Sequence, residues 1–104
     1  MDLAEACYRL TRSFPPDEVF ALTSQVRRAA ISIPANVAEG YGRESRADYV
    51  RFLRIAQGSL KELETHLLLA DRLALSPTEQ VADALQQTDD LGRMLRSLIR
   101  SLQS

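Results

Sequence analysis

The sequence predicts an all-α fold, an up-down-up-down antiparallel four-helix bundle. Apolar residues recur at spacings of three and four through most of the chain, which is the period of an α-helix, and no segment alternates as a strand does. Turn-forming residues interrupt this pattern three times, and each interruption is too short for a crossover connection. A length of 104 residues with 45% apolar side chains suffices for one domain with a packed core. The predicted helices of this single domain, residues 1–104, cover residues 2–12, 17–41, 45–74 and 77–102.

The first helix, residues 2–12, is the shortest. Its apolar residues lie at helical spacing and are Leu3, Cys7, Leu10 and Phe14. Pro15 and Pro16 end it, because proline lacks the N–H that a helix needs and restricts the residue before it. Asp17 follows, and we expect its carboxylate to cap the second helix by accepting from free N–H groups.

The second helix, residues 17–41, is the one around which the chain is organised. Pro34 lies inside it and has no N–H to donate to the carbonyl of Ala30, so we expect a kink there. Gly40 and Gly42 are expected to end the helix, where a positive φ is easiest for glycine. The face predicted to be buried carries Val19, Leu22, Val26, Ala29, Ala30, Ile33, Val37 and Tyr41.

A second apolar strip on the same helix consists of Ile31, Ala35 and Ala38. At about 100° per residue, a polar flank separates the two strips and carries Gln25, Arg28, Ser32, Asn36, Glu39 and Arg43. Charged faces are usually solvated, and that interpretation stays open for the flank. The two apolar strips favour a helix that contacts two neighbours, one in its own chain and one in a second copy.

The third helix, residues 45–74, begins at a predicted capping box in which Ser45 caps and Asp48 follows three residues later. Its apolar stripe is regular and carries Tyr49, Phe52, Leu53, Ala56, Leu60, Leu63, Leu67, Ala70 and Leu73. Gly58 lies on the opposite side. Glycine inside a helix costs about 1 kcal/mol relative to alanine, so Gly58 marks either a close approach of another helix or a tolerated defect.

The fourth helix, residues 77–102, has a strong start signal. Ser76 is the predicted cap, Pro77 the first helical residue, and Glu79 lies three residues after the cap. The following apolar residues have near-heptad spacing, which favours shallow crossing in an antiparallel bundle. They are Val81, Leu85, Thr88, Leu91, Leu95, Leu98 and Leu102.

Charge is distributed unevenly although the net charge is only −1. Residues 27–54 hold six arginines against three acidic residues, a local charge of +3. Residues 62–90 hold seven acidic residues against one arginine, a local charge of −6, and residues 93–100 add three arginines. Opposite charges on one small domain favour self-association or an oriented partner.

No catalytic or metal site is recognisable in the sequence. Nucleophilic catalysis needs a nucleophile beside an oriented base, whereas the only Cys, Cys7, and the only His, His66, lie on different predicted helices. A di-iron helical bundle would carry two Glu-x-x-His motifs, whereas the only comparable residues are Glu62, Glu64 and His66, with no second copy. Gly40-Tyr41-Gly42 is not followed by the lysine of a phosphate-binding P-loop. We therefore expect no enzymatic activity, no cofactor and no metal. The single cysteine and the lack of a long apolar run predict a cytoplasmic protein without a membrane partner.

An arginine constellation is the remaining candidate site. Such a patch, with Tyr41 and Tyr49 nearby for stacking, could bind RNA phosphates without reading sequence. The alternative is pairing with acidic residues inside the chain or between copies, which we favour for Arg28 with Glu39. For Arg46 and Arg54 both interpretations stay open. The candidate nucleic-acid-binding residues are Arg27, Arg43, Arg46, Arg51 and Arg54.

Two long blocks resemble the bacterial four-helix bundle family, the 23S rRNA intervening-sequence proteins. LTSQVRRAAISIPANVAEGYGR, residues 22–43, is similar to the family signature, and FLRIAQGSLKELETHLLLADRL, residues 52–73, resembles its second block. Residues matching the first block are Ser24, Gln25, Arg27, Arg28, Ser32, Pro34, Asn36, Glu39, Gly40, Gly42 and Arg43. Residues matching the second block are Phe52, Gly58, Ser59, Glu62 and Glu64.

The resemblance implies a four-helix protomer in a ring-shaped homopentamer. It also implies a relation to the accessory protein of diversity-generating retroelements. That accessory protein is similar to a basic pentamer that binds nucleic acid and reverse transcriptase. The acidic net charge departs from those relatives. Family members usually begin with a further segment containing a Trp, so we expect a misplaced start or a shortened first helix. The expected structural and oligomer-forming residues are Arg28, Ser32, Pro34, Ala35, Asn36, Glu39, Gly40, Gly58 and Glu62.

Two functional hypotheses follow. The first is a non-enzymatic homo-oligomeric helical protein whose molecular role is unassigned. The second is an accessory module that binds RNA, or a nucleic-acid-processing protein, through an arginine-rich surface.

Overall fold

Four α-helices make up the described part of the chain, which comprises residues 2–16 and 21–103 of the computed structural model. Helix α1 is Asp2–Thr11, α2 is Leu22–Tyr41, α3 is Arg46–Arg72 and α4 is Thr78–Gln103. Short connections make consecutive helices antiparallel, and α1 packs against α2 and α4 while α3 packs against both from the other side. The predicted all-α four-helix bundle is confirmed.

Aliphatic side chains fill the core, and Phe14 is the one aromatic residue buried among the described residues. The molecule measures 44 × 21 × 18 Å, which is close to the length of α3 at about 1.5 Å per residue. Helix α1 has only 10 residues and covers about 15 Å of that length. One part of the bundle therefore has four helices in cross-section, and the other has three. The largest fully buried side chains are those of Leu10, Leu22, Leu53, Leu63 and Leu67.

The start of α2 differs from the prediction. Ala21 has left-handed backbone angles, φ 50° and ψ 38°, and its side chain makes no capping hydrogen bond. A left-handed residue cannot continue a right-handed helix, so α2 begins at Leu22 and not at residue 17. The expected cap at Asp17 and the expected burial of Val19 lie outside the described residues.

The end of α2 lies at the predicted residue, but the expected positive φ of its glycines is not found. The helix stops at Tyr41, but Gly42 has φ −78°, and no glycine in the described residues has a positive φ. Tyr41 was expected on the buried face and is 77% exposed, because it lies in the part of the bundle that α1 does not reach. Helix α2 runs through Pro34 without interruption, and the expected kink stays a prediction.

Helix α3 begins as predicted. The Ser45 side chain accepts a hydrogen bond from the Asp48 N–H at 3.0 Å, and this satisfies one of the free donors at the helix start. Three residues of the predicted buried stripe are not fully buried. Tyr49 and Phe52 are half-buried, and Leu73 is exposed because it follows Arg72, the last residue of α3. The remaining six residues of the predicted stripe, Leu53 to Ala70, are buried.

The start of α4 corrects the predicted cap. Helix α4 begins at Thr78, so Pro77 is the residue before the helix, and its carbonyl accepts from the Val81 N–H at 3.3 Å. The Ser76 hydroxyl is buried and has no hydrogen-bond partner within the described residues. Proline fixes the backbone here, and the cap position moves one residue along the chain.

Candidate functional site

The polar flank of α2 faces α3 at its centre. The Ser32 and Ser59 hydroxyls lie 2.7 Å apart and share a hydrogen bond between the two helices. Asn36 Nδ2 donates to the Ser32 carbonyl at 2.8 Å and to the Ser32 hydroxyl at 3.0 Å. All three side chains are half-buried. This part of the flank therefore belongs to the α2–α3 interface and not to a solvated face.

Among the four glycines, Gly40 has the closest neighbours, because α2 and α3 approach each other there. A methyl group at Gly40 would lie 2.8 Å from Phe52 Cβ, 3.1 Å from Tyr49 Cδ1 and 3.2 Å from the Tyr49 carbonyl oxygen. Two of these three atoms are backbone or Cβ atoms that cannot rotate away. Gly40 is thus required for helix packing, and the expectation that it serves to end the helix through its φ is wrong.

Gly58 behaves in the opposite way. It is exposed, and a methyl group there would have no neighbour within 4 Å among the described residues. Of the two interpretations left open for Gly58, the close approach of another helix is therefore excluded within the described residues of the single chain. Gly92 on α4, which the sequence reasoning missed, has a closer contact, with Leu60 Cδ2 at 3.4 Å from its missing Cβ.

The acidic motif residues pair locally. Glu39 Oε1 lies 2.6 Å from Arg43 Nη2, one turn along α2, and both side chains are about half exposed. A pairing of Arg28 with Glu39 inside one chain is excluded, because eleven residues separate them on a rigid helix of about 1.5 Å rise per residue. Their pairing between copies stays a prediction. Glu62 lies 3.5 Å from His66 Nε2, one turn along α3.

Arg27 is held by α1 and lies away from the other candidate arginines. Its Nε donates to the Thr11 hydroxyl at 2.9 Å, and its guanidinium lies over the Tyr8 ring at 4.7 Å from the centroid. Thr11 in turn donates to the Cys7 carbonyl at 2.8 Å. Arg27 therefore connects α1 to α2.

Arg43 and Arg51 converge on Phe52. Their guanidinium carbons lie 4.9 and 4.5 Å from the ring centroid, which is cation–π distance. Arg51 also lies 3.8 Å from Asp48. Both arginines thus already have partners within the chain. Tyr41 and Tyr49 meet edge to face beside them, with ring centroids 6.0 Å apart.

Arg46 and Arg54 are exposed and have different neighbours. Arg54 lines a cavity of about 320 Å³ between α3 and α4. An adjacent cavity contains Arg46, and the two cavities share Gln103. We call this continuous surface the α3–α4 groove. Antiparallel packing brings the arginines of early α3 beside those of late α4, which sequence reasoning had kept apart. The other residues lining the first cavity are Gln57, Arg96, Ile99 and Arg100.

An apolar groove of about 410 Å³ lies beside the N-terminal end of α1, where α2 continues past that helix. Pro34 and Ala38 belong to its wall, and Ala38 is also part of the second apolar strip. In that strip Ile31 is 47% exposed, and Ala35 and Ala38 are exposed. The groove and the strip therefore form one continuous apolar surface on α2. The groove is lined by Leu3, Ala4, Ala30, Ile33, Pro34, Val37, Ala38, Tyr41 and Leu91.

Reactive side chains are dispersed. Burial raises the pKa of the Cys7 thiol to about 12, so the thiolate that would act as a nucleophile is not formed at neutral pH. No group of three or more metal-ligating side chains occurs in residues 2–16 and 21–103. In the same residues, no helix has the length and apolarity needed to cross a membrane.

Comparison with known proteins agrees with this architecture. The family model described as 23S rRNA-intervening sequence protein matches residues 1–97. A crystal structure of a protein with unknown function from the S23 ribosomal protein family of Bacteroides thetaiotaomicron is similar, with 27% sequence identity and a TM-score of 0.86. The match covers 94% of this chain and 92% of that one. No curated protein matches. The extent of the family match and the bundle itself lead to one conclusion: this chain belongs to the 23S rRNA-intervening sequence protein family.

Proposed function

We propose that this protein is a homo-oligomeric helical scaffold, assembled as a ring of five copies, without enzymatic activity of its own. The observation that carries the proposal is the continuous apolar surface of α2, made of the strip Ile31, Ala35 and Ala38 and the adjoining apolar groove. The number of copies rests on the family resemblance.

The α2 surface has the chemistry of a helix contact. Alanine side chains allow another helix to approach closely, and Ile31 supplies apolar area that would leave water. Contiguous exposed apolar surface on a small protein commonly marks an interaction site. A second copy presents the same strip and groove, so a ring of identical contacts can cover every apolar groove without a foreign partner.

Charge supports an oriented assembly. The turn between α3 and α4 brings the acidic residues of late α3 and early α4 to one end of the bundle. The arginines of early α3 and late α4 lie at the other end. Complementary ends on identical copies favour one relative orientation over others.

Substitution of Ala35 tests the scaffold. Ala35→Arg places a charge in the centre of the strip, and we expect a monomer or an aggregate where the parent chain is an oligomer by multi-angle light scattering. Ala82→Arg makes the same chemical change at an exposed position of α4 and should leave the mass unchanged. An unaltered mass for Ala35→Arg would remove the strip from the interface.

A second candidate function is an RNA-binding accessory module. The favouring observation is that Arg46 and Arg54 are exposed and form no ion pair with any described residue. Binding should weaken steeply with salt, because the arginines release counterions from phosphates. Arg46→Glu and Arg54→Glu should each reduce binding in a mobility-shift assay, and no shift with RNA at low salt would reject this function.

A further inference from the structure

We propose that the α3–α4 groove binds a linear polyanion, a chain of successive phosphate groups such as an RNA backbone or inorganic polyphosphate. This inference rests on the second candidate function and deepens it. It moves the site away from Arg27, Arg43 and Arg51, which have partners inside the chain, to residues that the sequence did not bring together.

The presence of three arginines from two helices at one cavity is the first argument. Arg54 from α3 and Arg96 and Arg100 from α4 line one cavity of about 320 Å³, and none of the described residues that line it is acidic. Gln57 and Gln103 add amide N–H donors at its edge. Guanidinium forks and amide donors match phosphate oxygens.

The shape of the groove is the second argument. The adjoining cavity, lined by Arg46, Ala47, Val50, Leu102 and Gln103, extends the groove toward the start of α3. From Arg46 to Gln57, α3 advances eleven residues, or about 16 Å at 1.5 Å per residue. The groove is therefore elongated, with three arginines in one cavity and Arg46 in the other, and this shape suits a chain of phosphates better than a single ion.

The lack of local pairing is the third argument. None of Arg46, Arg54, Arg96 and Arg100 has an acidic residue three or four positions away on its own helix. None of them forms an ion pair within the part of the chain that the structure describes. Arg93 shows the contrast. It lies 2.8 Å from Asp90 and 3.1 Å from Asp89, and its hydrogen bond lowers the pKa of the Asp90 carboxyl.

The unfavourable placement of these charges is the fourth argument. Arg96 and Arg100 lie one turn apart on α4, where like charges repel. Arg46 lies in the first turn of α3, where the helix macrodipole disfavours a cation. The macrodipole of α4 favours a cation such as Arg100 at the C-terminal end of that helix. It does not explain the presence of Arg46 and Arg54 on α3. A bound polyanion would relieve both kinds of repulsion.

Neutralising the α4 side of the groove is the central test. We would titrate a fluorescein-labelled oligouridylate by fluorescence anisotropy against the full chain and against Arg96→Gln with Arg100→Gln. The expected result is a loss of about ten-fold in affinity per arginine. The slope of log affinity against log salt should also become shallower by about 0.7 for each lost phosphate contact. Circular dichroism would check that the variant is folded.

The matched control is Arg9→Gln with Arg12→Gln, which changes the net charge equally at two exposed arginines in and just after α1. It should retain affinity within about two-fold if binding is local and not a general charge effect. Inorganic polyphosphate should displace the oligouridylate, because the groove contacts phosphates and not bases. RNA binding that polyphosphate does not compete with would overturn the phosphate-chain proposal.

Other outcomes separate the groove from the function. If RNA binds but the control variant weakens binding as much as the groove variant does, the RNA-binding function stands and the assignment of the site to the groove is wrong. If no RNA and no polyphosphate binds at low salt, both are wrong. If the groove variant changes only the light-scattering mass, the groove contacts another copy, and the proposal is overturned in favour of a protein partner.

Discussion

The two sides of α2 are held in different ways. Toward α3, the contact runs the length of α2, with the Ser32–Ser59 hydrogen bond at its centre and the close approach at Gly40 near its end. Toward α1, Arg27 contacts Thr11 and Tyr8, and the packing stops at the N-terminal end of α1. Beyond that point the apolar groove lies open. The difference indicates that the family-motif residues of α2 mainly pack against α3, and that the interface of α2 with α1 is the less extensive one.

Gly40→Ala should have the largest effect on stability. Its methyl group would collide with Phe52 Cβ and the Tyr49 carbonyl at 2.8 and 3.2 Å. We expect a net loss of about 2 kcal/mol in the free energy of unfolding, measured by urea denaturation. The control is Gly42→Ala, whose methyl group would have no neighbour closer than 3.7 Å. Equal stability of the two variants would contradict the close approach at Gly40.

Arg27→Lys should loosen the α1 side selectively. Lysine lacks the planar fork that bonds Thr11 and stacks on Tyr8, so a loss of about 1–1.5 kcal/mol is expected. The readout is alkylation of Cys7, which is fully buried with a pKa of about 12 and should react only after local opening of α1. Alkylation at neutral pH should accelerate about ten-fold, the factor that corresponds to this loss of free energy.

The control for this experiment is Arg28→Lys, next to Arg27 but exposed. It should leave the alkylation rate unchanged. If Arg27→Lys also left the rate unchanged, α1 would not depend on the arginine contact.

The Ser32–Ser59 pair should show a smaller, coupled effect. Alanine at either position removes the hydrogen bond between α2 and α3. Ser59→Ala leaves the contact of the Ser32 hydroxyl with Asn36 in place, whereas Ser32→Ala removes it as well. A double-mutant cycle with Ser32→Ala and Ser59→Ala should give a coupling energy of about 0.5–1 kcal/mol. Additive effects would mean that the two hydroxyls do not stabilise the interface together.

Gly58→Ala should have the smallest effect and the opposite sign. Since the position is exposed and open, alanine should stabilise α3 by about 0.5–1 kcal/mol through helix propensity alone. Thermal unfolding at fixed concentration measures it. A loss of stability together with a lower light-scattering mass would place Gly58 in a contact between copies.

Several features could be predicted from residues alone. The apolar period predicted all four helices, and the Ser45 cap followed from its spacing to Asp48. The start of α2 could not be predicted, because the left-handed angles of Ala21 belong to a residue that rarely adopts them. At Ser76 the sequence signal was strong, but the backbone at Pro77 moved the helix start and left the hydroxyl buried.

The candidate site was predicted in part. Arg54 and Arg46 were correctly placed on an exposed face, whereas Arg27, Arg43 and Arg51 contact Tyr8 or Phe52. Arg96 and Arg100 were absent from the prediction. Their signal was present as a second basic segment, and it becomes informative only when α3 and α4 are known to pack antiparallel.

The sequence by itself determined the helices, their order and the uneven distribution of charge, because helical period and turn chemistry act over a few neighbouring residues. Only the tertiary structure decided which glycine permits close packing, which arginines have partners, and which basic segments share a groove. Those properties depend on distances between residues far apart in the chain, such as Gly40 and Phe52 or Arg54 and Arg100. Helix spacing alone does not specify them, since the same apolar stripe can pack in more than one rotation and register.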